Sequence, residues 1–141
     1  MGEKSIKIGY SLSLSGILAP NGKTVFLAHK LWEEDINNKG GLLGRPVRLV
    51  CMDDQTNPNL VPEIYRKLLR EAKVDLVIGG YGDNSIKPAM PLVIENKRFF
   101  PIWSVCPIKE HLPSFNSSEH HLTSQTSRVE ASSYLSEVVA S

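Results

Sequence analysis

An α/β fold, a parallel sheet with helices on both faces, is predicted for this 141-residue chain by three observations. Short apolar strand-like runs alternate with segments of helical periodicity. Glycine- and proline-rich punctuation separates them. The resulting order, β-α-β-α-β-α-β through residue 105, is that of a right-handed, parallel α/β unit.

The first strand is IKIGYSLSL at 6–14, where apolar and small or polar side chains alternate with period two. SGILAPNG then reads as a loop. A helix is predicted over 22–38, with Asn21 as its cap and Val25, Ala28, Leu31, Trp32 and Ile36 on its apolar face. Gly40 is its left-handed stop. Gly41 and Gly44 continue a tight double turn, and Pro46 fixes the entry to a strand at Val47 to Met52. After Asp53-Asp54, Asn57-Pro58 caps and opens a helix whose Val61, Ile64, Tyr65, Leu68 and Leu69 repeat at helical spacing. DLVIGG at 75–80 is a short buried strand, and 85–96 reads as one helix despite Pro88 and Pro91. FFPIWSV at 99–105 is a fourth strand, kept at an edge or broken by Pro101.

Two regions follow from this reading: a lobe at 1–105 and an atypical Ser/His-rich segment at 106–141. All ten glycines fall within 1–82, whereas three of the four histidines fall after 106, so the rhythm of the first hundred residues stops there. A capping box at Ser127 to Glu130 predicts a short helix over 128–139.

Composition excludes several classes. Sixteen basic and fifteen acidic residues are intermixed, with no basic stripe, so nucleic acid is not an expected partner. No apolar run is long enough to span a membrane. The start MGEKSIKIGYS has no secretory h-region, which leaves the cytoplasm open as a compartment. Cys51 and Cys106 each lie in an apolar segment and read as two buried thiols.

The chemical candidates are few. Asp53-Asp54 at a strand end resembles the acidic pair of a phosphoacceptor site, which needs a further aspartate on a neighbouring strand. DLVIGG offers glycine there, so the pair reads as a turn leading into a helix. Better ligand candidates are Tyr81, Gly82, Asp83, Asn84 and Ser85, at a glycine-rich strand-to-helix junction, and Ser13 and Ser15 at the matching junction after the first strand. His120-His121 lacks further ligands at metal spacing, and His29 reads as a partly buried structural residue. No nucleophile–base set is present, so no catalytic residue, cofactor or metal is expected.

In order along the chain, IKIGYSLSLSGILAPNGK, EEDINNKGGLLGRPVRLVCMDDQTNP and KVDLVIGGYG resemble the type I periplasmic solute-binding proteins, in the branch serving Leu/Ile/Val-type ABC importers. The likeness runs from Ile6 to about Phe100. It implies one lobe of a two-lobed clamp, with the second lobe missing, that closes on a solute and delivers it to an ABC permease. It also implies a periplasmic location. The loops that touch ligand in relatives correspond to Ser13 to Gly16, Tyr81 to Ser85, and Ser104 to Cys106. Asp83 stands where amino-acid binders place a serine, and a carboxylate there repels an α-carboxylate unless paired. Amides and aromatic acids are therefore solute candidates beside amino acids, with Tyr81 able to stack on a ring.

A lone lobe encloses too little of a ligand, so weak binding is expected, together with self-association through an apolar edge at Phe99 to Trp103. A change of reading frame after about codon 100 would explain the atypical segment. The alternative to an importer component is a cytoplasmic ligand-sensing regulator of the amide-sensor type; a small enzyme ranks third.

Overall fold

The computed structural model describes residues 4–102. Three parallel strands, β1 (Ile6–Leu12), β2 (Val47–Asp53) and β3 (Leu76–Val77), form a sheet in the order β2-β1-β3. Ile6 pairs with Val47 and Leu12 with Asp53, while Gly9 pairs with Val77 on the other side. The helices are α1 (Ala19–Asn38), α2 (Val61–Arg70), α3 (Asp83–Ile86) and α4 (Met90–Glu95).

Strand alternation assigns the two faces. Tyr10 meets His29 of α1, whereas Gly9 lies against Leu68 and Val74 on the α2 side. The α2 face holds the larger core, built from Val61, Ile64, Tyr65, Leu68, Val74, Val77, Ala89 and Val93. Each of the valine, isoleucine and leucine side chains among these contributes roughly 1.5–3 kcal/mol when removed from water. The apolar period expected for α2 is the one that is buried here, and Asn57 caps the 3-10 turn at Pro58–Leu60 that leads into it.

On α1 the expectation changes in two ways. The helix starts at Ala19, not Gly22, because Gly16 turns the chain at φ 82° and Pro20 pre-sets the first helical turn. Asn21 is therefore inside the helix and does not cap it. Its inner face is also different: Gly22, Val25, His29 and Ile36 turn inward, while Leu31 and Trp32 are 59% and 41% exposed.

The reason is the exposed edge of β2. Asn37 both donates to the Val47 carbonyl (2.8 Å) and accepts from its N–H (2.7 Å), and Glu33 accepts from Leu49 N–H (2.7 Å). Polar side chains of α1 thus occupy backbone groups that would otherwise template another strand. Burial raises the Glu33 carboxyl, but Lys30 and the Leu49 N–H outweigh it and hold it below its ordinary value.

Two further expectations are revised. The single helix over 85–96 is two short helices, because Pro88 lacks the N–H that would bond back and Pro91 begins α4 afresh. The strand at 75–80 is reduced to Leu76–Val77, although Asp75 and Ile78 still donate to β1 carbonyls. Of the fourth strand, Phe99 to Ile102 form no regular strand, yet Gly79 N–H donates to the Pro101 carbonyl (2.9 Å) and lays this segment beside β3. Phe100 packs edge-on against Tyr65. The remainder of that strand, Cys106, His120-His121, the 106–141 region and its helix at 128–139 lie outside the described residues.

Candidate functional site

Because β1 is the central strand, the loops after all three strands meet above its C-terminal end. The register that pairs Leu12 with Asp53 brings Ser13 beside Asp54. Asp54 is 1% exposed and accepts from Ser13 Oγ (2.5 Å), Ser85 Oγ (2.7 Å) and Thr56 N–H (3.0 Å). A buried carboxylate is tolerable only when donors replace its water. Here three arrive from three separate segments.

Asp53 serves the more open side. It accepts from Ser15 Oγ (2.7 Å) and from the N–H groups of Leu14 (2.8 Å), Gln55 (2.8 Å) and Ser15 (3.2 Å). Burial pushes its carboxyl upward, but these bonds outweigh burial and hold it below the usual carboxylate range. Gln55 and Thr56, at φ 55° and 58°, adopt the left-handed region and thereby aim successive N–H groups at the two carboxylates.

Next to this knot, at the ends of β1 and β3, is a cleft of about 770 Å³. Leu12, Val25, Ile78 and Ile102 give it an apolar wall, and Gly80 to Asp83 form its rim. Gly80 cannot carry a side chain, since a Cβ there would lie 2.5 Å from the Ser11 carbonyl oxygen. Tyr81 stands at the mouth, 41% exposed, its hydroxyl accepting from Asn21 Nδ2 (2.9 Å). Asp83 lies 3.6 Å from Lys87 Nζ, one helical turn on.

His29 reaches the cleft from α1 and sets its ring edge-on to Tyr10, with centroids 4.8 Å apart. Its Nδ1 is buried without a hydrogen-bond partner, and burial lowers its pKa. Burial also raises the Tyr10 hydroxyl above its ordinary value and pushes the neighbouring Cys51 thiol up to about 11. Cys51 is thus an inert, half-buried thiol.

The fold holds His29 neutral, so its contribution is complete above the ordinary histidine pKa and is lost as pH falls through that value toward the lowered one. The expected result is a smaller urea midpoint at about pH 5.5 than at about pH 7.5, with a flatter dependence in His29→Phe. Equal pH dependence in the two proteins would refute the assignment.

The structure divides the candidate ligand residues into two groups. Tyr81, Gly82 and Asp83 line the cleft. Ser13, Ser15 and Ser85 direct their hydroxyl protons to Asp54, Asp53 and Asp54 respectively, so each retains only acceptor capacity for a solute. Asn84 is exposed, and Ser104 lies outside the described residues. Sequence reasoning did not single out Leu12 or Val25 for the cleft, Asn21 as the partner of Tyr81, or the binding of Asp53 and Asp54 to the serine loops. The deciding feature is the strand order: with β1 central, the loop carrying Ser13 lies between the loops after β2 and β3. Among the described residues, no three His, Cys, Asp or Glu side chains converge as metal ligands.

Known proteins share this fold. The chain is similar to the branched-chain amino acid transporter substrate-binding protein LivJ of Streptococcus pneumoniae, solved with isoleucine, at 26% identity and TM-score 0.65 over 72% of this chain and 28% of that one. A type 1 periplasmic binding protein of Bordetella pertussis matches at 28% identity and TM-score 0.63, over 69% and 26%. A solute-binding protein of an ABC transporter from R. palustris, solved with benzoate, matches at 25% identity and TM-score 0.62, over 70% and 27%. The chain therefore spans little more than a quarter of these relatives. The profile of the family described as periplasmic binding protein matches residues 5–141, so it includes the segment that the sequence alone set apart. The chain belongs to the periplasmic binding protein family, whose members are substrate-binding proteins of ABC transporters and not enzymes.

Proposed function

We propose that this chain supplies one wall of a solute site serving an ABC importer, for a small solute with a branched or flat apolar body. The observation that carries this reading is the cleft itself. It opens at the C-terminal ends of parallel strands, where open α/β sheets bind ligands, and its wall is apolar. Relatives solved with isoleucine and with benzoate show two solutes of that shape. Tyr81 and the backbone of Gly80 to Asp83 orient the solute, while the Asp53–Asp54 knot holds Ser13, Ser15 and Ser85 behind them. Family membership supports a periplasmic setting and delivery to a permease. Among the described residues no helix is long and apolar enough to cross a membrane.

The open cleft covers a solute on one side only, whereas tight sites enclose about 70–90% of a ligand's surface. Binding by the 141-residue chain is therefore expected to be weak, with dissociation constants on the order of millimolar. Titrating isoleucine and benzoate while following amide resonances should move the signals of Gly79 to Asp83 first. Tyr81→Ala should weaken that response several-fold. Shifts confined to another surface, or none with either solute, would overturn the reading.

A further inference from the structure

The outer face of α1 carries a short pattern that nothing in the solute site uses. Lys23, Leu27, Leu31 and Glu34 follow one another at intervals of four, four and three residues, which places them on a single helical stripe. Leu27 is 61% and Leu31 59% exposed. Surface leucines scattered singly are ordinary, but two stacked leucines on one stripe form a continuous apolar ridge.

The charges at its ends are distinctive. On the same helix Lys30 pairs with Glu33 and Lys39 with Asp35. Among the described residues Lys23 and Glu34 make no ion pair, and each stands one turn beyond a leucine.

The stripe is close to self-complementary when reversed. Turning a second α1 antiparallel sets Leu27 against Leu31 and Lys23 against Glu34, twice, about one two-fold axis. That is the isologous geometry in which a single patch serves both partners. We propose that α1 is a homotypic docking surface, on which a second copy of this chain packs its own α1 antiparallel across the Leu27–Leu31 ridge.

Helices meet through such ridges at interaxial distances of about 8–10 Å, and the flanking cation and anion set direction and register. A parallel pair would oppose Lys23 to Lys23 and Glu34 to Glu34. Four leucines, two from each copy, and two ion pairs make a patch smaller than the ~1,200–2,000 Å² of a stable interface. The dimer is accordingly weak and concentration-dependent, with a dissociation constant on the order of 100 μM. The pairing concerns the back of α1 and is independent of the solute reading.

Sedimentation equilibrium of the full chain across about 10 μM to 1 mM tests this directly. The expected result is a monomer–dimer equilibrium that Leu31→Glu abolishes. Lys23→Glu and Glu34→Lys should each be monomeric alone, because each opposes like charges across the axis. Mixing the two should restore association, since one variant then presents only anions at these positions and the other only cations. Added salt should weaken the mixed dimer. A chain that stays monomeric throughout the range overturns the proposal. So does association that Leu31→Glu leaves unchanged, which would place the contact elsewhere, or a mixture of the two charge variants that fails to pair.

Discussion

Asp54→Ala should lower the unfolding free energy by about 3–5 kcal/mol, the largest loss expected from any single polar side chain described here. A typical intramolecular hydrogen bond contributes roughly 0.5–1.5 kcal/mol net, and Asp54 accepts three in a buried setting. The substitution also strands the Ser13 and Ser85 hydroxyls, both 3% exposed, where water does not reach them. Against a typical domain stability of ~5–15 kcal/mol, the variant would be marginal. Asp54→Asn should cost less, because its carbonyl still accepts and its amide can donate to one serine oxygen. Ser13→Ala and Ser85→Ala should each cost about 1–2 kcal/mol. Urea denaturation followed by far-UV circular dichroism ranks the series. An Asp54→Ala midpoint equal to wild type would show that the carboxylate does not hold the three loops.

Gly22→Ala runs against the usual expectation for a helix. Alanine is favoured over glycine in a helix interior by about 1 kcal/mol, so propensity alone predicts a more stable protein. At this position, however, a Cβ would lie 2.0 Å from the Ser13 carbonyl oxygen and 2.7 Å from its carbon. Those are backbone atoms at the end of the central strand and cannot rotate aside. To admit a methyl, α1 must lift away from β1, which also separates Val25 and His29 from the apolar wall they complete. We expect a net loss of at least about 2 kcal/mol and a displaced cleft. Gly40→Ala meets nothing within 4 Å but sits at φ 98°, so its cost is conformational and smaller. Gly22→Ala as stable as wild type, or more so, would mean that the helix does not approach the strand this closely.

How much of this was legible in the sequence depended on which interaction decided each element. The helix α2 was readable because burial on one face decides it, and its apolar residues alone carry the period. The strands β1 and β2 were readable from their short apolar runs between turn residues, and the left-handed turn at Gly40 from the conformation that glycine alone adopts freely. The inner face of α1 was not. There the deciding partners are backbone groups of β2, satisfied by Glu33 and Asn37, so polar residues face inward and Leu27, Leu31 and Trp32 are left outside. A search for an apolar stripe finds Val25 and Ile36 on such a helix but wrongly adds Ala28, Leu31 and Trp32, which are exposed.

The start of α1 was misplaced because Asn21 resembles a cap, whereas Pro20 and the turn at Gly16 decide it. In the candidate site, Tyr81 to Asp83 could be found from a glycine-rich junction. The engagement of Ser13, Ser15 and Ser85 with the two aspartates could not, because it depends on which strand lies at the centre. Asp53-Asp54 was read as a turn leading into a helix. That is right as far as the chain path goes, but it omits the bonds that bring three loops together.

The position of Asp54 also has a consequence for the order of assembly. Its partners Ser13 and Ser85 are 41 and 31 residues away along the chain. Neither contact can form locally, and each requires a parallel crossover to close first. The wall of the cleft therefore cannot precede the sheet: it appears with the last strand pairing, among the slow, non-local events of folding. A folding intermediate with only one crossover in place would have helices and part of a core, but no site.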